Sequence, residues 1–251
     1  MNIHQQRQHI TLSVSLNSVV AMREKFGSDL IDLSKLALFA EEAGADEVTC
    51  HVQDSTWSRM SADVHHLAQM TIGIFVVEVT PTDPVLSHLL ALPKAQICLV
   101  SSSTSHAIHG AVDLVGQLSD IQLAIQPVLA DGRQVSAVTL PEVAQVQAAA
   151  QLALAAVRLD CSRLSELESE EDQRQYLASL SVVVDECVRH GLRVSVGGHL
   201  RMQDIASVSR LTEVCCINVD EVVAAQTVWS GWAGAVQEIK AFIVKSRLAV
   251  R

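Results

Sequence analysis

The sequence predicts a (β/α)8 barrel, and three observations carry that reading. From residue 10 onward, short β-favouring runs alternate with helical patterns, the signature of parallel strands joined by crossover helices. Eight such runs can be counted. The chain is 251 residues long, near the roughly 250 of a typical eight-unit barrel, which favours a closed barrel over an open sheet.

Strands are expected at Ile10 to Leu16, Glu47 to His51, Ile72 to Val79, Ile97 to Val100, Leu123 to Val128, Val157 to Asp160, Arg193 to Val196 and Val214 to Val219. After the first, an apolar helix from Leu33 to Ala43 is closed by Gly44, a residue able to take a left-handed conformation. Val48, Thr49 and Cys50 then form a short strand that delivers His51 where strand becomes loop, and the polar run Gln53 to Ser58 follows. In a barrel, that strand end is where chemistry sits. Pro84 starts a helix leading into Val85-Leu86 and Leu89-Leu90, and Pro141 does the same for the alanine-rich Val143 to Ala155.

Between these lies an interruption. Val128 to Val138 sets two alternating arms around Asp131-Gly132, so a hairpin insertion is expected after the fifth strand, placed to cover a site, meet another subunit or form a plain loop. Glu166 to His190 reads as a long helix, acidic at its start and ended by Arg189-His190-Gly191 in accord with the helix dipole. Met202 to Val208 and Ala233 to Lys245 supply the last two helices, with an extra short one within Asp220 to Ser230. The whole span 1–251 is read as a single TIM-barrel domain.

With 49% hydrophobic and 18% charged residues, the chain can bury a large core. A net charge of -10 without Lys/Arg clusters argues against nucleic acid and anionic membranes as partners, and leaves small molecules or proteins. Cys50, Cys98, Cys161, Cys187, Cys215 and Cys216 lie mostly in apolar runs with no CxxC pair, as buried thiols of a cytosolic protein do. The polar start Met1 to His9 carries no signal-peptide core, and no apolar run approaches the roughly 20 residues that span a bilayer. A cytoplasmic location is expected.

Several segments together resemble the pyridoxine 5'-phosphate synthase family. They are Leu12 to Val19 with Arg23, Ala40 to Asp46 through His51, Val77-Glu78-Val79-Thr80, Cys98-Leu99-Val100, Gly191 to Val194 through Gly197, and Ile217-Asn218-Val219 with Ala233 to Lys240. The likeness runs nearly end to end, in order and at near-constant spacing, apart from the hairpin insertion after the fifth strand. It implies a (β/α)8 barrel that forms a homo-oligomer and condenses 1-deoxy-D-xylulose 5-phosphate with 3-amino-2-oxopropyl phosphate, with no metal or organic cofactor. It also implies that His51 and Glu78 occupy the places of the family's acid-base histidine and catalytic glutamate. Such a pair supplies the proton shuttling that ring closure by condensation and dehydration needs.

Elsewhere the site departs from the family. Ser15-Leu16-Asn17-Ser18 stands in place of Asn-x-Asp-His, Phe26 in place of a phosphate-binding arginine with Lys25 and Arg23 near, and Gln53 and Ser58 in place of an arginine and a histidine. Arg158 replaces a glutamate, and Gly197-Gly198-His199 replaces Gly-His-Gly, moving the third catalytic histidine to His199. The phosphate-cradling Gly-His at the last strand becomes Asp220-Glu221. A phosphate site needs N–H groups and cations. One like-charge contact at about 4 Å costs roughly 4 kcal/mol at an effective dielectric near 20, of the order of a thousandfold in affinity.

The sequence is therefore identified as a divergent member, expected to keep acid-base condensation chemistry on a non-phosphorylated carbonyl or amine substrate without a cofactor. His51, Glu78 and His199 are the catalytic candidates. Ser15, Asn17, Ser18, Gln53, Ser58, Gly198, Asp220 and Glu221 are the substrate-binding ones, with Asp160, Asp220 and Glu221 forming an acidic mouth suited to amines. The alternative is a non-catalytic regulatory or metabolite-binding relative. A metal site from His51, Glu78, His199 and Asp220 is a third reading that no close spacing supports, and no metal is expected. His65-His66 and Cys215-Cys216 are read as surface and core, and Trp229 and Trp232, flanking Gly231, as packing a subunit or helix interface.

Overall fold

A computed structural model describes residues 9–27, 30–92, 95–101 and 110–249. The polar start from Met1 to Gln8 lies outside the described residues. Eight parallel strands follow one another around a closed barrel: β1 Thr11–Ser15, β2 Glu47–His51, β3 Ile74–Val79, β4 Gln96–Leu99, β5 Val135–Thr139, β6 Ala156–Asp160, β7 Arg193–Gly197 and β8 Val214–Val219. β8 pairs with β1 to close the ring, with Ser13 opposite Asn218.

The period-two alternation of each strand decides what it faces. On β2, Val48 and Cys50 join the core between sheet and helices, while Glu47, Thr49 and His51 turn the other way. On β3 the same split sends Phe75, Val77 and Val79 outward and Ile74, Val76 and Glu78 inward. The inward side has its own small apolar cluster, Val76, Cys98, Val100 and Val138. The apolar sector of the barrel thus lies at β3 to β5, and the polar residues gather at β1, β2, β6 and β8.

Among the described residues the helices are α1 Asn17–Phe26, α2 Leu33–Glu42, α3 Asp54–Met70, α4 Leu86–Leu89, α5 Leu118–Ala130, α6 Val143–Gln151, α7 Ser162–Glu166, α8 Glu170–Arg189, α9 Met202–Ser209 and α10 Glu221–Leu248. Gly44, just beyond α2, has φ 107°, and Gly191, beyond α8, has φ 72°, as their reading as helix stops requires. The long segment before β7 divides in two, because Ser169 caps a fresh helix by accepting from the Asp172 N–H at 3.0 Å. The two helices expected after β8 merge into α10, which is bent at Gly231, a non-helical residue with φ 69°. Trp232 then packs inward and its indole N–H donates to Leu36 O at 2.9 Å, whereas Trp229 is exposed.

The fifth strand and the hairpin insertion were misplaced by the sequence reading. Leu123 to Val128 belongs to α5, where Ile121, Ile125 and Val128 are buried at helical spacing. Asp131-Gly132 is the turn from that helix into β5, with Gly132 at φ 77°, and no inserted hairpin is found among the described residues. The second arm of the expected hairpin is itself the fifth strand. Arg133 holds the turn from outside, donating to Leu89 O at 3.2 Å and Leu90 O at 2.6 Å.

A further tie closes the seam of the barrel. Lys240 of α10 meets Asp46 Oδ2 at 2.5 Å, and the same oxygen accepts from the Leu12 N–H at 2.8 Å. All six cysteines are free thiols. No helix among the described residues is long and apolar enough to cross a membrane.

Candidate functional site

Alternation along the strands brings a chain of polar side chains across the C-terminal half of the barrel. At its centre the Arg158 guanidinium, 8% exposed, forms an ion pair with Glu78, whose side chain is 4% exposed. Its second terminal nitrogen is 3.7 Å from Glu47 Oε1. Glu47 accepts from the Ser13 hydroxyl at 2.7 Å, and that hydroxyl in turn accepts from Asn218 Nδ2 at 2.9 Å. Gly197 makes room for the arginine: a Cβ there would stand 3.1 Å from Arg158 Cδ. An ion pair this dry gains from Coulomb attraction what desolvation costs only when its remaining donors and acceptors are met, and the chain of partners meets them.

Asn17, at the start of α1, connects the two strand ends singled out in the sequence. Its Nδ2 donates to Glu78 Oε2 at 2.8 Å, and its Oδ1 accepts from the His51 backbone N–H at 2.7 Å. His51 and Glu78 are direct neighbours in the register of β2 and β3. Asn17 also stands in the wall between two cavities. One, of about 200 Å³, is bordered by His51, Gln53, Thr56 and Met60. The other, of about 40 Å³, is bordered by Ser15, Glu78, Arg158, Gly198, Asp220 and Glu221.

Asp220 is a strongly perturbed acid of the second cavity. Burial pushes its carboxyl up to about 7, hydrogen bonds from Ser18 pull against that, and Glu78 and Glu221 push it further. The Ser18 backbone N–H reaches Asp220 Oδ1 at 3.1 Å. A carboxyl titrating near neutrality in a cleft can both give and take a proton. Glu221, the first residue of α10, pairs instead with the His199 ring at the rim. The three carboxylates expected to form one acidic mouth, Asp160, Asp220 and Glu221, do line one cavity but have different partners. Asp220 accepts from the Ser18 N–H, Asp160 from the Ser162 hydroxyl, and Glu221 has a histidine partner.

The loop after β7 is held by its glycine. Gly198 has φ 100°, and a Cβ on it would lie 2.5 Å from Asp160 Oδ1 and closer still to Ser162 Oγ. Ser162 donates to Asp160 and accepts from the His199 N–H at 3.0 Å, so the loop is clamped to α7 and His199 is turned outward. Gln53 serves as the cap of α3, its N–H donating to Thr56 Oγ1 at 3.4 Å, and it borders the His51 cavity. Ser58 lies exposed on α3 and borders neither cavity. Phe26 is exposed at the end of α1.

Arg158 is the site residue whose part the sequence reading missed. It was seen only as a replaced glutamate, although an arginine between Val157 and Leu159 in a buried strand demands an acidic partner. The nearby thiols are poor nucleophiles, since burial pushes Cys50 up to about 12 and Cys98 to about 11. Among the described residues no three His, Cys, Asp or Glu side chains converge as a metal-binding group.

Solved structures with the same fold include KGPDC from Streptococcus mutans, 17% identical over 94% of this chain and 98% of that one, with a TM-score of 0.59. The YdjI aldolase from Escherichia coli K12 is 10% identical over 100% and 99%, with a TM-score of 0.62. A 4-hydroxy-2-oxoglutarate aldolase/2-deydro-3-deoxyphosphogluconate aldolase from TTHB1 is 13% identical over 97% and 99%, with a TM-score of 0.61. At such identities the likeness is one of fold. The family is shown by the sequence itself: residues 12–245 match the model described as pyridoxal phosphate biosynthesis protein PdxJ, and the chain belongs to that family.

Proposed function

We propose that this PdxJ-family barrel performs cofactor-free acid-base condensation chemistry on a small non-phosphorylated carbonyl or amine substrate. The observation that carries the reading is Asp220, a buried carboxyl titrating near neutrality beside Glu78 at the C-terminal mouth. In an imine-forming condensation, protonated Asp220 gives its proton to the carbinolamine hydroxyl, which leaves as water while the nitrogen lone pair forms the C=N bond. Glu78, paired with Arg158, stabilises the positive charge on that nitrogen, and His51 supplies or removes protons from the neighbouring cavity. The reading takes a small molecule as partner, self-association into a homo-oligomer and a cytoplasmic location. Exposed Phe26, Leu30, Val228 and Trp229 offer apolar area for self-association.

The replacement of a family arginine by exposed Phe26 and the absence of a charged group at Gln53 support a non-phosphorylated substrate. The test is turnover of a panel of small amines with ketones and aldehydes, beside the two phosphorylated family substrates. Asp220→Asn is expected to lose about 10²- to 10⁴-fold in rate. Family-rate turnover of the phosphorylated pair would overturn the reading.

A second reading, a non-catalytic metabolite-binding relative, is favoured by the way Arg158 fills the barrel. What remains above it is about 40 Å³, room for one or two waters. Ligand binding without turnover of any panel member, unchanged by Asp220→Asn, would select it.

A further inference from the structure

The opposite end of the barrel holds a larger space. Barrel interiors are ordinarily filled by layers of bulky branched side chains. Here the inward positions at the strand starts mix long side chains, among them Glu47, Ile74 and Arg193, with the small Ser136, Ala156 and Ser195 on β5 to β7. A cavity of about 500 Å³ remains, within the roughly 300–1,000 Å³ of small-molecule sites. Arg158 borders this cavity and the upper one alike, so its buried pair with Glu78 is the partition between them.

The partition leaves one negative charge over. Glu78 and Glu47 share a single guanidinium: Glu78 takes the close contact, and Glu47 Oε1 stands 3.7 Å from the other terminal nitrogen. Among the described residues Glu47 forms no other ion pair. The remaining charges around the cavity are matched. Asp46 has Lys240 at 2.5 Å, and Glu213, just before β8, is offset by Arg193 at the start of β7. The hydroxyls of the wall add to the same polarity. Thr11, Ser136 and Ser195 each donate to a strand carbonyl, Cys215 O at 2.9 Å, Ile97 O at 3.3 Å and Val157 O at 3.2 Å. Their protons are thus committed, and toward a ligand they offer lone pairs. A carboxylate with acceptors around it suits a group that only donates, as an ammonium does, and replaces the hydration such a cation loses. Ile74, the register partner of Glu47, and Val76 lie inward on β3 and give a carbon body an apolar wall.

We infer that the N-terminal mouth of this barrel is a second binding site, for a small organic cation of the primary-ammonium class with a short apolar body, its nitrogen on Glu47. The site is independent of the chemistry proposed for the C-terminal mouth. Its test is a ligand-observed NMR titration of the full chain near neutral pH with benzylamine, benzyl alcohol and benzoate, which are similar in size and differ in charge. Benzylamine is expected to bind in the millimolar range, as a fragment of its size does, and the other two about tenfold more weakly. Glu47→Gln removes the charge, keeps an acceptor for the Ser13 hydroxyl, and weakens benzylamine about tenfold. Ala156→Leu fills the cavity and abolishes benzylamine binding, and Asp220→Asn leaves it unchanged. Equal binding of benzyl alcohol or benzoate, or no binding of any probe, would overturn the inference, and this comparison needs no variant to fold. So would benzylamine binding kept at full strength in folded Glu47→Gln or Ala156→Leu, or lost in Asp220→Asn, which places the cation in the upper cavity.

Discussion

The two ends of this barrel contrast in the reverse of the usual sense. At the C-terminal end, where barrels keep their open site, charged side chains crowd around about 40 Å³. At the N-terminal end, ordinarily filled, a cavity of about 500 Å³ remains. The crowding follows from one long side chain. Arg158 rises from β6 into the polar sector, takes Glu78 and Glu47 as partners, and uses the room that Gly197 leaves. The lesson is that a single long inward side chain takes up most of the room at one end of a barrel, because the interior has only a few layers to fill.

The largest expected effect comes from removing that partition. Arg158→Met leaves Glu78 buried without its cation and is expected to cost about 3–5 kcal/mol at pH 7, read as a shift in the urea midpoint. Adding Glu78→Gln should restore much of the loss, since the stranded charge rather than the missing contact dominates. A loss below about 1 kcal/mol in the single variant would mean that the partition does not hold the two ends apart.

Asp220 gives the next effect, and its sign is opposite to that of most carboxylates. Its folded-state value of about 7 lies above the ordinary value near 4, so the folded chain holds a proton that the unfolded chain has released. The stability associated with this group is complete below about pH 4 and falls away as pH rises through about 7. Asp220→Asn should therefore match the parent near pH 4 and exceed it at pH 8 by at most about 4 kcal/mol, read from urea unfolding at the two pH values. Equal stabilities at pH 8 would show the carboxyl to be as solvated as a rim residue.

Much of this molecule was legible in its sequence, for reasons that differ between its parts. Strand β2 and the helix before it were readable because Gly44 stops α2 and Val48-Thr49-Cys50 begins a strand, both local signals. The fifth strand was not readable, because Leu123 to Val128 is an apolar run too short for its period to separate helix from strand. Asp-Gly also serves both a hairpin and a helix-to-strand turn, since each needs a positive φ. Two errors cancelled in the count of eight. In the site, the neighbourhood of His51 and Glu78 followed from strand order, whereas the contact between Glu78 and Arg158, which are 80 residues apart, depends on how a closed barrel sets β3 against β6. The condition of Asp220 was hidden for the same reason. A sequence gives its charge, and only packing gives its burial.

A third effect sharpens the picture of the crowded end. Gly198→Ala would force a side chain into the left-handed region and against Asp160 and Ser162, at an expected cost of about 1–3 kcal/mol. The loop carrying His199 must then lift from α7, so the variant should also change the His199 ring resonances in NMR spectra. Unchanged resonances with full stability would show that the clamp is dispensable.

The smallest expected effect is at the rim. Glu221 pairs with His199 where both side chains are well exposed, 38% and 54%, so water and salt screen most of their attraction. Its carboxylate also sits at the first turn of α10, where the helix dipole favours it. Together these contribute about 0.5–1 kcal/mol, so Glu221→Gln should lower stability only by that amount at low salt and by less in 1 M salt, as urea midpoints would record. A loss of several kcal/mol that persists in high salt would place Glu221 with Glu78 and Arg158 in the buried network, and the contrast between a dry centre and a wet rim at this end of the barrel would disappear.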